Sequence, residues 1–166
     1  MDNKRHNHQN SSKPVQPLSA ELALGRTPAF KEPRLIGDWV LWLEQRPHEQ
    51  GRTTALIRPW GQPDRSAQEL TPAPVNLRSR VHDYGGGVIA TAFKGDQLLL
   101  AWIDAADGGL WFQRWQGFEQ ALRAGDLLSA INPPICLSCL EEAQLGDGLI
   151  DLPRQRWLGV MEVAKQ

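Results

Sequence analysis

The sequence predicts an all-β protein in which antiparallel hairpins follow one another closely. Apolar residues recur with strand periodicity, as in Trp39–Leu43 and Gln97–Ile103. Short turn signals such as Asp107-Gly108 separate these runs, and little of the chain has helical spacing. Repeated hairpins of this kind are typical of a β-propeller or a β-sandwich.

We expect an incomplete β-propeller, because the chain is short for a closed ring. Residues 35–166 supply only about three four-stranded blades at ~40–50 residues each, whereas a closed propeller needs at least about four. We assign residues 18–166 to this partial propeller domain. Residues 1–17 are polar, with almost nothing to bury, so we expect a disordered N-terminal tail.

The first predicted hairpin joins Trp39–Leu43 to Thr53–Arg58 through a turn at Pro47–Gly51. Trp39–Leu43 is apolar on both faces, which suits a strand that is covered on both sides. Gln68–Thr71 is a candidate for a short outer strand. These segments together predict the first antiparallel sheet.

Further strands are expected along the rest of the chain. They are Val88–Phe93, Gln97–Ile103, Leu110–Trp115, Gly148–Leu152 and Trp157–Glu162. The segment Phe118–Ile131 has helical spacing that Gly125 interrupts, so it predicts either a short helix or a structured loop.

The composition is that of an ordinary soluble globular protein, with 41% hydrophobic residues and a formal net charge of −1. This balance argues against binding nucleic acid through bulk positive charge. No apolar run approaches the ~20 residues that span a bilayer, and the polar start of the chain lacks the apolar stretch of a secretory signal. We therefore expect a cytoplasmic protein without nucleic-acid or membrane partners.

Two cysteines, Cys136 and Cys139, form a CxxC pair. Zinc sites normally add a second such pair or two histidines, and His6 and His8 lie in the polar tail, where solvation is the expected state. We therefore predict two reduced thiols near a blade edge, no metal site and no cofactor.

The segment 78–87 is the main candidate for a functional loop. Three consecutive glycines are costly in a regular element, but they suit a turn at positive φ or a close approach of another group. If Gly86 holds positive φ, a Gly86→Val substitution should cost ~1–3 kcal/mol. The loop is either a crossing between blades or a surface that faces substrate, and its candidate residues are Arg80, His82, Asp83, Tyr84, Gly85, Gly86 and Gly87.

A hydrolytic centre is not expected within these residues. A nucleophile elbow requires Gly-x-Ser-x-Gly, and the sequence contains no such motif. His82 and Asp83 are adjacent, but neighbouring side chains diverge and do not make a catalytic triad. We therefore assign no catalytic residue.

Residues 80–87, Arg-Val-His-Asp-Tyr-Gly-Gly-Gly, resemble a segment of the N-terminal propeller of prolyl oligopeptidase-family serine peptidases, of the bacterial dipeptidyl aminopeptidase/acylaminoacyl-peptidase type. That segment carries Glu where this chain has Asp83. Further similarity lies, in order, in Leu35–Glu44, Gln68–Pro72 and the pair Gly146–Asp151 and Arg154–Val160. The resemblance covers about residues 18–163.

The resemblance implies a propeller that caps an α/β-hydrolase domain and filters peptide substrates. The Ser, Asp and His of the family would belong to that hydrolase domain, which is absent from these 166 residues. The expected function is thus that of an N-terminal propeller fragment, which gates substrate in the full-length enzyme and is not catalytic alone. Two alternatives stay open: a stand-alone small β binding module, and one half of a split peptidase that a hydrolase-domain chain completes.

Overall fold

The computed structural model describes residues 27–82, 85–140 and 142–163. The predicted tail of residues 1–17 lies outside the described residues. The all-β class is confirmed: the chain forms several antiparallel sheets and no closed barrel in its described part.

The strands are β1 (Ala29–Ile36), β2 (Trp39–Arg46), β3 (Arg52–Pro59), β4 (Gln68–Glu69), β5 (Ile89–Lys94), β6 (Gln97–Ile103), β7 (Leu110–Gln116), β8 (Ser129–Ala130), β9 (Ile135–Ser138), β10 (Ala143–Asp151) and β11 (Arg156–Val163). A short 3-10 turn, Pro47–Glu49, connects β2 to β3, and the helix α1 (Phe118–Ala124) follows β7.

These strands form two sheets and a hairpin. Sheet 1 has the order β1-β2-β3-β4, and sheet 2 has the order β5-β6-β7-β8, with β9 also pairing with β7. The third unit is the β10–β11 hairpin. All pairings are antiparallel, and every pair except β7–β9 joins strands that are neighbours in sequence.

Sheet 2 lies between sheet 1 and the β10–β11 hairpin, and β6 shows why. Its Leu98, Leu100 and Trp102 belong to the core shared with sheet 1. Its Ala101 and Ile103 belong to a second core shared with β10 and β11. Because successive side chains of a strand point to opposite faces, the unbroken apolar run of β6 covers both cores.

The first core contains buried side chains from both sheets, namely Leu41, Leu43, Ile57, Leu70, Leu98, Leu100 and Trp102. On β2 the odd-numbered positions from Trp39 to Leu43 are buried, while Val40 and Trp42 are only half-buried. The second face of β2 is therefore covered less completely than its apolar pattern predicts.

The segment after β7 is a helix that closes one end of the first core. Phe118 and Ala121 are its buried residues, and the Phe118 ring meets Trp39 and Phe93 edge-on, with centroids 5.2 and 4.7 Å apart. Gly125 ends the helix in the left-handed conformation and donates its N–H to the Ala121 carbonyl.

Candidate functional site

The segment 78–82 runs in an alternating pattern along the surface beside β10. Arg78, Arg80 and His82 are exposed, whereas Ser79 and Val81 are buried, Val81 completely. An extended backbone alternates its side chains in this way. The charged side chains are therefore presented to solvent while the others anchor the loop.

Ser79 makes the first anchor. Its buried hydroxyl donates to the carbonyl of Leu145 in β10 at 2.6 Å and accepts from the N–H of Val81 at 3.1 Å. Both capacities of the hydroxyl are used on backbone groups. Ser79 therefore positions the loop on β10 and is not available as a nucleophile.

The glycines make the second anchor, which we call the glycine clasp: Gly86 and Gly87 against Asp147. Gly87 donates its N–H to Asp147 Oδ1 at 2.6 Å, and the Asp147 N–H donates back to the Gly87 carbonyl at 2.8 Å. A Cβ on Gly86 would lie 2.5 Å from Asp147 Oδ2 and 2.8 Å from Val81 Cγ1. The backbone of this glycine is thus in contact with its neighbours.

The reasons for the three glycines differ. Gly85 has φ of +89° and closes a turn by donating its N–H to the Val81 carbonyl at 3.0 Å. Gly86 does not lie among the residues with positive φ. Of the two explanations that the sequence leaves open, positive φ does not apply to Gly86, and the close approach of another group does.

His82 connects the loop to β11. Its φ is +57°, and its N–H donates to Glu162 Oε2 at 2.6 Å. Its side chain is exposed. Asp83 and Tyr84, the other polar candidates, lie outside the described residues.

Arg78 and Arg80 present their guanidinium groups without an ion pair to any described residue. They line a small cavity of about 250 Å³ together with the carboxylates of Asp104 and Asp107. Guanidinium groups bind carboxylates through paired hydrogen bonds. The two carboxylates balance the two guanidinium groups, so a peptide carboxylate bound here would compete with Asp104 and Asp107 for the arginines.

The fold that presents this loop is similar to that of solved peptidases. The chain matches a puromycin-hydrolyzing peptidase from Mycobacterium tuberculosis over 89% of its own length, with a TM-score of 0.64 and 25% identity. It matches a puromycin hydrolase over 86% of its length, with a TM-score of 0.62 and 25% identity. The similarity falls on the N-terminal region of these peptidases. The resemblance to the prolyl oligopeptidase family is confirmed.

The chain spans 21% and 20% of the length of these two peptidases. A mutant puromycin hydrolase complexed with PGG is similar in fold over 86% of this chain, with a TM-score of 0.60 and 24% identity. No protein-family model matches the chain, and no curated protein matches it.

The prolyl oligopeptidase-like motif of residues 80–87 is therefore a junction between sheet 2 and the hairpin that follows it. The structure brings Gly86, Gly87 and the backbone of His82 together against β10 and β11, whereas Gly85 contacts Ser79 and Val81 of its own loop. It leaves the Arg80 side chain on the outside. The partner residues, Asp147 and Glu162, were not predicted, because nothing local in the sequence links them to a loop some 60 and 80 positions earlier.

The cysteine prediction is wrong. Cys136 and Cys139 form a disulfide instead of two reduced thiols. Cys136 lies in β9, which ends at Ser138, and the chain then turns so that the Cys139 sulfur lies beside the Asp107 turn and within bonding reach of Cys136. Among the described residues, no group of three or more His, Cys, Asp or Glu is placed to hold a metal ion.

Sheet 1 also carries a charged cluster that the sequence pattern does not predict. Arg52 is 9% exposed and binds Glu49 and Glu69, as well as the carbonyls of Thr71 and Val75. The hydrogen bond from Arg52 lowers the pKa of Glu49. Burial acts to raise the pKa of Glu69, but hydrogen bonds, from Arg52 first, outweigh it and lower that pKa. The donors of Arg52 bind the turn before β3, β4 and the segment that follows β4, so the cluster ties these parts of the chain to β3.

An open cleft of about 620 Å³ separates sheet 2 from the β10–β11 hairpin. Its walls include the apolar side chains of Phe112, Leu137 and Trp157 and the basic side chains of Lys94 and Arg114. The cleft lies where the second core ends. It can accept an apolar group with an adjoining negative charge.

No helix in the described part of the chain combines the length and apolar character that crossing a membrane requires.

Proposed function

We propose that this chain serves as the N-terminal part of the propeller of a prolyl oligopeptidase-like serine peptidase. In this role it restricts the access of peptide substrates to a hydrolase domain. The chain itself supplies no catalytic residue. Its partners are then a peptide substrate and a hydrolase domain, and a cytoplasmic location belongs to the same proposal.

The observation that supports this proposal best is the order of the sheets. Sheet 1, sheet 2 and the β10–β11 hairpin follow one another in sequence and pack face to face in that same order. Consecutive antiparallel units that contact their sequence neighbours are the arrangement of propeller blades. The glycine clasp fixes the junction between the second and third units.

The proposed substrate class rests on the exposed loop and on the solved structures that this chain resembles. The solved structures that this chain resembles hydrolyse puromycin, according to their names. The exposed Arg78 and Arg80 supply positive charge for a peptide carboxylate. We propose that Arg80, His82, Asp83 and Tyr84 face short peptides that enter the enzyme.

A peptidase assay on the purified chain tests the absence of catalysis. We expect no turnover of puromycin or of aminoacyl and dipeptidyl chromogenic amides, and no labelling of the chain by a serine-directed fluorophosphonate. Turnover that the same inhibitor abolishes while modifying this chain would contradict the proposal.

A chimera tests the gating role. The N-terminal region of the puromycin hydrolase that this chain matches would be replaced by residues 27–163. We expect the chimera to cleave short peptides and to spare unfolded proteins. A folded chimera that degrades both at similar rates would show that the chain does not restrict access.

The alternative of a split peptidase makes a separate prediction. A hydrolase-domain polypeptide should then co-purify with this chain, and the pair should gain peptidase activity. The matched control is the chain with Asp147→Ala, which loosens the glycine clasp and should lower the yield of the pair.

The cleft of about 620 Å³ favours the second alternative, a stand-alone binding module. Trp157 lines this cleft, so a bound peptide should change its fluorescence. Saturable binding by the purified chain that Phe112→Ala weakens would support a binding module. The absence of binding would leave the propeller proposal as the better account.

A further inference from the structure

The disulfide between Cys136 and Cys139 lies at the end of β9, and both cysteines are exposed. Cys136 is the second residue of β9, and Cys139 is the first residue after the strand. The bond therefore closes a ring over only two intervening residues. An exposed disulfide in so short a segment can react with a thiol from solvent while the core stays folded.

Cys136 lies on the side of sheet 2 that faces sheet 1. It is directly opposite Trp111 of β7, and residues opposite each other in an antiparallel pair share one face of the sheet. Trp111 packs against the first core, which the two sheets share. The Cys136 side chain is therefore on the face of sheet 2 that points away from the β10–β11 hairpin.

The disulfide spans an irregularity in the pairing of β9. Ser138 lies opposite Leu110 and Cys136 lies opposite Trp111, so Leu137 is an extra residue that interrupts the ladder. β9 makes only three pairs with β7, and the two residues before it are prolines, which cannot donate a backbone hydrogen bond. The disulfide is therefore a covalent constraint on a strand that few hydrogen bonds hold in place.

The turn between β6 and β7 lies against one of the two sulfurs. Cys139 Sγ is 3.9 Å from Asp107 Oδ2, and a Cβ on Gly109 would lie 2.9 Å from the same sulfur. The Asp107 carboxylate repels an approaching thiolate and disfavours a negative charge on Cys139. Cys136 is therefore the sulfur at which a thiolate attacks more readily.

We propose that Cys136 and Cys139 form a thiol-exchange site, at which a low-molecular-weight thiol opens the disulfide reversibly and thereby loosens β9 from β7. This inference uses only β9 and the turn beside it, so it does not depend on the proposed function. It is compatible with the proposed cytoplasmic location, because disulfides of cytosolic proteins are mostly transient, catalytic or redox-sensing.

The exchange takes place in two balanced steps. A thiolate bonds to Cys136 Sγ, the disulfide bond breaks, and its electron pair leaves on Cys139 Sγ, which takes a proton from solvent. The resulting S–H can donate to Asp107, which keeps Cys139 from attacking back. A second thiol then attacks the mixed disulfide, so Cys136 is released as a thiol and the two small thiols leave as their own disulfide.

Reduction of the folded chain tests this exchange. The purified chain is incubated with millimolar reduced glutathione without denaturant, and free thiols are counted by maleimide labelling and mass spectrometry. We expect labelling of both cysteines, reversed by glutathione disulfide. Urea below the unfolding transition should change the rate less than about twofold, since no unfolding is required. Reduction that occurs only in the unfolded chain would overturn the proposal.

Single-cysteine variants test the roles of the two sulfurs. With glutathione disulfide, C139S, which keeps Cys136, should form the mixed disulfide on the order of tenfold faster than C136S, which keeps Cys139. D107N should accelerate C136S and leave C139S unchanged. Asparagine removes the charge but retains an oxygen for the Gly109 N–H and the Trp111 indole. Equal rates in C139S and C136S would refute these roles.

Hydrogen exchange tests the loosening of β9. On reduction, the amides of β9 should exchange on the order of tenfold faster, because the closed ring no longer limits the conformations of the segment. The amides of β6 are the internal control and should keep their rates. The double variant C136S/C139S should match the reduced chain with and without reductant. Equal exchange of β9 in the oxidised and reduced chains would overturn the proposed loosening.

Discussion

At the scale of single residues, Val81 explains why two nearby positions, Gly86 and Gly146, require glycine. A Cβ on Gly86 or on Gly146 would lie 2.8 Å from its Cγ1, so this buried valine is enclosed by two glycine backbones. These contacts hold the loop that precedes sheet 2 against β10. Neither glycine can accept a side chain without displacing its neighbours.

Gly86→Ala should therefore destabilise the fold by about 1–3 kcal/mol through overpacking. The reason is contact with Asp147 and Val81 and not backbone strain, since Gly86 lacks positive φ. The measurement is urea denaturation. In an Asp147→Ala background the added cost should shrink, and a full cost in both backgrounds would contradict the contact explanation.

Ser79→Ala should cost about 1–3 kcal/mol, because it leaves the Leu145 carbonyl and the Val81 N–H without their buried partner. Ser129→Ala is the matched control, since Ser129 is exposed in β8. It should change the free energy of unfolding by less than about 0.5 kcal/mol. Equal effects of the two substitutions would show that Ser79 does not anchor the loop.

At the scale of strands and helices, the sequence predicts the elements whose local pattern is sufficient. β6 has the predicted bounds, because an unbroken apolar run suits a strand buried on both faces. The helix α1 ends where Gly125 interrupts the spacing. Both outcomes are decided by residues next to one another in the chain.

Strands that form through pairing, and not through a local apolar pattern, escaped prediction. The bounds of β1 include charged residues and a proline, since its segment reads Ala-Phe-Lys-Glu-Pro-Arg-Leu-Ile, and pairing with β2 makes it a strand. β9 follows two prolines and is held by β7. The Asp147 partner of the glycine clasp likewise comes from tertiary packing. The loop could be singled out from its glycines, but its contacts could not.

The charged cluster of sheet 1 predicts a pH dependence. The folded pKa of Glu69 lies below its ordinary value of 4.5, so the unfolded chain binds more protons as the pH falls towards that pKa. The stabilisation from Glu69 is present above about pH 4.5 and is lost as the pH falls through the folded pKa.

Urea denaturation at a series of pH values measures this effect. We expect Glu69→Gln to reduce stability at neutral pH and to flatten the loss of stability on acidification. Glu119→Gln is the control, because Glu119 is 79% exposed and lies 3.9 Å from Arg123. A Glu69→Gln profile parallel to that of the original chain would contradict the assignment.

At the scale of the whole molecule, stability is distributed unevenly. β6 has four buried positions among its last five residues and lies between two cores, whereas β11 is exposed along nearly its whole length. Elements with few buried contacts open at lower free energy than the core does. The β10–β11 hairpin should therefore open before the two sheets separate.

Hydrogen exchange measures this difference. We expect the amides of β11 to exchange on the order of 100 times faster than those of β6. Adding denaturant should accelerate β6 strongly and β11 weakly, because only β6 requires global unfolding. Equal protection of the two strands would show that the hairpin opens only with the rest of the molecule.

The alternation of buried and exposed side chains from Arg78 to Val81 has a consequence for trypsin. Both arginines are visible from solvent, but the residue after each is buried and fixed to the body of the protein. A protease must bind an extended backbone in its own active-site cleft. The peptide bonds after Arg78 and Arg80 therefore resist cleavage while the loop is packed against β10. The rate of cleavage at Arg78 and Arg80 therefore measures how often the β10–β11 hairpin separates from sheet 2.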